Sequence, residues 1–282
     1  GIMTGIIYGV VALGFVIIYK SSGIFNFAIG AMVMFSAFIG YSLLVDFGLP
    51  LWSVIPLVAL IMCIIAAIAE HLTVKPLVGQ PIFSIIMVTL GLFLALQALA
   101  VFLWGHLGAR GYPSDILPFA VWKIGGIAVT PHKLGGFGSC MLVYILFVLF
   151  FRYSRAGLNM RAVAEGHKLA ESTGIRVNTV IRNSWIIAAA ACAIGGIWIG
   201  IYQGVFLPLS NIGLKALPAA LVGGLESIHG AIIGGLIIGI AESLLGGYIG
   251  GGISEIGAFL VLILILIVRP YGLFGLEKIE RL

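Results

Sequence analysis

Few residues in this 282-residue chain could do chemistry, and most of them sit in apolar company. Lys215, Glu226, Glu242 and Glu255, with His229, fall in or beside runs otherwise free of charge. Asn26, Gln97, Gln203 and Asn211 are neutral polar groups in the same kind of setting. A charge or amide in hydrocarbon is tolerated only where it finds a partner or a wet path. Asn26, Gln97, Gln203, Asn211, Lys215, Glu226, His229 and Glu242 are therefore candidate lining groups for a solute path. The competing reading for each is a hydrogen bond between helices, worth about 0.6 kcal/mol on average in a membrane. Glu242 lies deepest within an apolar run, and three roles stay open for it. It could be protonated and hydrogen-bonded, paired with a base such as Lys215, or turned to the path to meet a solute's amino group.

Other chemistry is excluded by what the sequence lacks. There is no G-x-x-x-x-G-K-[ST] loop to cradle a nucleotide, no H-E-x-x-H and no G-x-S-x-G. The clear apolar runs hold no Asp, and His229 stands at an edge, so neither a paired-Asp nor a Ser–His intramembrane enzyme is legible. Cys63, Cys140 and Cys192 occur singly in apolar stretches and read as small buried hydrophobes without metal or disulfide spacing. No catalytic residue, cofactor or metal is expected. The net charge of +5 would suggest nucleic acid on a soluble chain; here the basic residues are a topology signal, and no nucleic-acid partner is expected.

The elements that must position these groups are transmembrane helices. The chain is 61% hydrophobic and 9% charged, against about 25% charged in soluble domains. Residues 1–19, 23–45, 51–69, 81–109 and 134–151 carry no Lys, Arg, Asp or Glu. Each run is close to or above the roughly 18 residues that let a helix cross hydrocarbon. The runs do not alternate as barrel strands would; VLILILIV at Val261–Val268 shows this. The expected fold is an all-α polytopic transmembrane helix bundle, one domain over 1–282 that takes the lipid bilayer as its solvent. Spans are expected near 1–19, 24–45, 50–69, 82–104, 134–151, 183–203, 229–248 and 252–269. A shorter piece near 213–226 makes eight or nine membrane segments, some short or broken. The opening span has neither a basic n-region nor a small-residue cleavage site, so it reads poorly as a signal peptide.

Orientation follows from the segment 152–182. It holds Arg152, Arg155, Arg161, Lys168, Arg176 and Arg182 against Glu165 and Glu171. Short basic loops stay inside, which places this segment in the cytoplasm and the N-terminus outside. Arg269, Lys278 and Arg281 ask for a cytoplasmic C-terminus, and the parity of crossings then requires 213–226 to cross as well. Its 14 residues reach only ~21 Å, so it needs other helices around it. Glycines recur at four-residue spacing: Gly1, Gly5 and Gly9; Gly196, Gly200 and Gly204; Gly230 and Gly234; Gly235 and Gly239. Such faces let backbones approach, either within the chain or across a dimer. A faint echo between 26–40 and 227–240 suggests matching broken helices in two halves.

Within the basic segment, Leu158–Thr173 reads as a short amphipathic helix closed by Gly174. It could lie on the membrane or seat in a partner's groove. A resemblance favours the second. The opening hairpin with NFA-x-G at Asn26–Gly30, AEHLTVKPLVGQP at Ala69–Pro81 and GLNMRAVAEGHKLAESTGI at Gly157–Ile175 come in the order of one family. So do KALPAALVGGLESIHGAIIGGLIIGIAE at Lys215–Glu242 and RPYGLFG at Arg269–Gly275. Over nearly its full length the chain resembles the permease subunits of bacterial branched-chain amino-acid ABC importers, in particular the shorter of the two permease types. The resemblance implies a multi-pass inner-membrane permease with separate partners: a second homologous permease, two cytoplasmic ATPase subunits and an extracytoplasmic substrate-binding protein. It implies coupling to the ATPases through the loop at about 152–182, on Arg161, Ala164, Glu165, Lys168, Ala170, Glu171 and Gly174. Two departures leave the solute open: Ile29 stands where the family turn carries His, and Glu226–His229 stand where it reads G-S-I-P. Related permeases handle urea, amides and other amino acids, and a sister group handles sugars. An ion-driven secondary transporter and a non-transporting scaffold remain the readings from other classes.

Overall fold

A computed structural model describes residues 1–77, 80–105, 108–113, 122–124 and 127–275. Eleven helices are described: α1 (Ile2–Ser22), α2 (Ile29–Tyr41), α3 (Leu51–Ala69), α4 (Ile82–Trp104), α5 (Pro131–Tyr153), α6 (Arg155–Glu165), α7 (His167–Ser172), α8 (Val177–Gln203), α9 (Ile212–Gly223), α10 (Ile228–Tyr248) and α11 (Gly251–Val268). A small antiparallel hairpin, β1 (Trp122–Ile124) with β2 (Ile127–Val129), sits between α4 and α5. The all-α membrane bundle is borne out. Seven helical segments are long and apolar enough to cross a membrane among the described residues.

The bundle is layered by how much water or lipid each helix meets. α1, α2 and α8 are buried almost all round, and their apolar residues interlock at the centre. α3, α4 and α5 stand outside them and turn Leu60, Ile64, Leu94, Phe102, Leu142 and Leu146 outward. Large exposed apolar side chains are what a lipid-facing surface requires. Proline and glycine punctuate the elements. Pro50 and Pro81 precede α3 and α4, and Pro131 opens α5. α1 ends at Gly23 in the left-handed region (φ 71°), which no β-carbon-bearing residue adopts cheaply.

Glycine also sets how closely the helices approach. A β-carbon on Gly235 would run into the backbone of Gly9, and one on Gly239 into that of Gly5. Gly230 and Gly234 press on Gly223 and Ala219 of α9, and Gly196 on Val33 and Ser36 of α2. The glycine repeats thus pack helices within the chain, the first of the two readings open in the sequence. The contacts also fix direction. Gly5 meets Leu236 and Gly9 meets Ile232, so α1 and α10 are antiparallel. One end of the bundle carries α6 and α7, and the opposite end carries the hairpin.

Two crossings are broken near mid-depth. After Gly23 the chain returns as non-helical backbone through Phe25 and Asn26, and α2 begins only at Ile29. The Ile29 side chain lies at the level of Gly14, in the middle of α1. The expected span from 24 therefore starts five residues late. After α8, Gly204 (φ 83°) reverses the chain and Val205 pairs with Arg110. A 3-10 segment, Leu207–Asn211, then descends to α9. α9 spans only Ile212–Gly223, ~18 Å of helix, beginning one residue before and ending three before the expected 213–226. Together with the descent from 204 it runs from the hairpin end of the bundle towards the α6–α7 end. The sequence echo misplaced the second break. α10 starts at the bundle's end under a Ser227 cap and runs unbroken to Tyr248; the counterpart of α2 is α9.

The basic segment forms two helices rather than one, because Gly166 interrupts them in extended backbone. Gly174 (φ 83°) closes the pair as expected, with Ile175 N–H donating to Ala170 O. Lys278 and Arg281 lie outside the described residues.

Candidate translocation path and docking surface

The two half-length helices start at the same place. Gly30 and Gly213 touch backbone to backbone, and Gly30 also lies against Ser210 O. Each helix therefore brings its N-terminus, with unsatisfied N–H groups and partial positive charge, to the middle of the bundle. Gln97 of α4 donates from Nε2 to Ser210 Oγ at 2.7 Å, and Ser210 Oγ bonds Leu207 O at 3.1 Å. That ladder holds the 3-10 segment against α4. Asn211 stands at the N-cap of α9, exposed, with no capping bond from its side chain.

Two residues into α9's helix beyond Gly213, Lys215 pairs with Glu242 of α10, Nζ to Oε1 at 2.5 Å. The side chains are 21% and 13% exposed. Of the three roles open for Glu242, pairing with Lys215 is the one the structure displays. Oε2 of the same carboxylate is buried. Tyr8 of α1 lies beside it, fully buried, with its hydroxyl turned to the Glu242 carboxylate as a hydrogen-bond donor.

The other polar groups are distributed. Asn26 is buried; its Oδ1 accepts from Ala28 N–H at 2.9 Å and its Nδ2 has no partner. It lines a cavity of about 310 Å³ between α1, α4 and α8, with Phe25, Ile85, Thr89, Ile181 and Trp185 among the walls. Gln203 ends α8, exposed, at the hairpin end. Glu226 and His229 belong to the α6–α7 end. Lys20 Nζ donates to Glu226 O at 3.1 Å, and His229 Nδ1 lies 2.7 Å from Tyr144 Oη. The structure thus joins Gln97 to Ser210, next to Asn211, and Lys215 to Glu242, and separates them from Glu226 and His229 at the α6–α7 end. Sequence reasoning missed Tyr8 and Ser210; a hydroxyl inside an apolar run was the available signal.

At the bundle's end, α6 and α7 form a folded shelf. Ser154 caps α6 by accepting from Gly157 N–H at 2.9 Å, and Gly157 lies against the backbone of Phe151. Met160, Val163 and Ala170 are buried beneath the shelf. Leu158 and Leu169, 58% and 68% exposed, face away together with Arg161, Ala164, Glu165, Glu171 and Gly174. The side chain of Lys168 lies outside the described residues. Anchored from below and apolar above, the shelf is a preformed surface.

Crossings broken at mid-depth, with half-helix N-termini and polar groups held inside, are the build of a membrane transport protein. Which one follows from comparison. The family model for "Branched-chain amino acid transport system / permease component" matches residues 1–269, and the chain belongs to that family. Its relatives include the high-affinity branched-chain amino acid transport system permease protein LivH of Escherichia coli, 29% identical over 100% of this chain and 95% of that protein. The corresponding protein BraD of Pseudomonas aeruginosa is 32% identical over the same shares. The probable LivH of Methanocaldococcus jannaschii is 29% identical over 96% of this chain and 90% of its own length. Among solved structures, PsaBC from Streptococcus pneumoniae in complex with Fab has the same fold, with TM-score 0.53 and 15% identity over 97% of this chain and 92% of that one.

Proposed function

We propose that this chain is one of two permease subunits of an ATP-driven importer for branched-chain amino acids or related small polar solutes. The observation that carries the reading is the α6–α7 shelf. It stands outside the membrane-spanning helices, is tied to the ends of α1, α5 and α8, and presents Leu158 and Leu169 with a border of charge. A shelf built this way transmits a push as rigid-body motion to the helices below it. Separate ATPase subunits would supply the push, and the permease would alternate between states of different solute affinity. Family membership supports the solute class. The basic segment 152–182 supports a cytoplasmic shelf, with the N-terminus outside and the C-terminus inside. The second permease would cover the face that carries Asn211, Lys215 and Glu242, and a binding protein would deliver solute at the hairpin end.

The test is purification and uptake. Expressed with its neighbouring subunits, the chain should copurify with an ATPase pair, and reconstituted uptake should stop without hydrolysable ATP. Uptake that continues without the ATPases, driven by a proton or sodium gradient, would establish an ion-driven carrier instead.

A further inference from the structure

Asn26 leaves a donor unused inside the bundle. Its Oδ1 accepts from Ala28 N–H at 2.9 Å, which fixes the amide and leaves Nδ2 buried without a partner. Such atoms are rare in folded chains, and one that lines a cavity points to an occupant. Asn26 lines the cavity of about 310 Å³, with Val74, Ile85, Ile181 and Trp185 around it at the buried end. None of the lining residues is Lys, Arg, His, Asp or Glu. A zwitterionic solute would find no counter-charge there, and a charge buried unpaired costs far more than a neutral group. The chemistry of the walls therefore selects an apolar body with one uncharged hydrogen-bond acceptor.

The mouth identifies the source of such a group. Gln80 and Ile82 line the cavity where α4 starts, and both are exposed. Ile82 and Phe83 are 60% and 67% exposed, and the outward apolar face of α4 continues through Met87, Leu90 and Leu94. The opening thus adjoins a lipid-facing surface at the edge of the hydrocarbon, the level of phospholipid ester groups. Lys75, exposed and next in sequence to Val74, puts a cation at the same end for a phosphate.

We propose that the cavity holds one acyl chain of a phospholipid from the adjoining leaflet, with its ester carbonyl accepting from Asn26 Nδ2. The headgroup stays at the mouth. Asn26 is then a lipid-anchoring residue rather than part of the solute path. The chain lies between α4 and α8, and α8 follows directly on the α6–α7 shelf, so the site lets the bilayer act on that helix. The site depends on membrane burial alone and not on how transport is driven.

The experiment reads Trp185 fluorescence in the full chain, with the other four tryptophans changed to Phe. The protein is placed in vesicles of phosphatidylcholine whose acyl chains are dibrominated, or of the same lipid without bromine. Bromine quenches indole at short range, and Trp185 is buried away from the bulk lipid. Trp185 should be quenched, and Val74→Phe, which fills the cavity, should remove most of that quenching. Asn26→Asp keeps the bond to Ala28 N–H and turns the donor into an acceptor; phospholipid retained per chain through delipidation should fall at least about fivefold, the worth of one hydrogen bond. Where the single-tryptophan chain or Asn26→Asp does not fold, retention by the wild type against Val74→Phe decides, and the wild type should keep more. Trp185 left unquenched, quenching equal with the cavity filled, or equal retention by folded variants overturns the proposal.

Discussion

Gly235→Ala tests the packing on which every other feature depends. The added β-carbon would overlap the backbone N and Cα of Gly9 and lie 2.6 Å from Gly5 O. Carbon contacts are comfortable at about 3.5–4.0 Å, so α1 and α10 must part by roughly 1 Å. Backbone atoms cannot rotate aside as a side chain can. The expected cost is at the upper end of the 1–3 kcal/mol typical of overpacking, about 3 kcal/mol, or roughly a hundredfold in the folding equilibrium. Parting the helices also loosens Tyr8 against Glu242. Gly91→Ala is the control. It lies in α4 with nothing within 4 Å of a new β-carbon, so it should stabilise by up to about 1 kcal/mol through helix propensity. The assay is denaturation of the purified protein in detergent, followed by circular dichroism and by loss of the monodisperse peak. If Gly235→Ala and Gly91→Ala unfold together with the wild type, the close approach of α1 and α10 is refuted.

Ser154→Ala removes the cap of α6 and should cost about 1 kcal/mol locally, seen as faster proteolysis in 155–172 with the rest of the bundle protected. Leu158→Asp with Leu169→Asp should leave the isolated permease folded and abolish copurification of the ATPase pair; retained ATPase would move the docking surface elsewhere. Gln97→Leu breaks the bond to Ser210 and should cost about 0.6 kcal/mol, readable as a small loss in thermal stability and as a change in reactivity of a cysteine placed at Asn211.

Charge-free runs and basic loops are enough to place the long helices, since length and hydropathy alone decide whether a segment enters lipid. Parity of the basic loops even demands a crossing by α9, short as that helix is. Interruptions are harder to read. The glycine turns at Gly23 and Gly204 end the helices before them, but that the next two helices start where Gly30 and Gly213 touch depends on residues distant in sequence. The same holds for the candidate site. Lys215 and Glu242 can be named from type alone, but their pairing and the Tyr8 hydroxyl beside the Glu242 carboxylate depend on three helices meeting. The break between α6 and α7 is hidden because Gly166 sits within an otherwise helical pattern and only its extended backbone shows the interruption.

The shortness of α9 has a consequence for biogenesis. With 12 residues and a lysine near its start, it is a poor substrate for the translocon, where a central lysine opposes insertion by about 2.5–3.5 kcal/mol. Its counter-charge, Glu242, is synthesised 27 positions later. α9 should therefore wait at the membrane surface until α10 emerges and enter with it as a helical hairpin already neutralised. The topology of the last third of the chain is then decided after synthesis of α10, by pairing, rather than segment by segment as the chain is made.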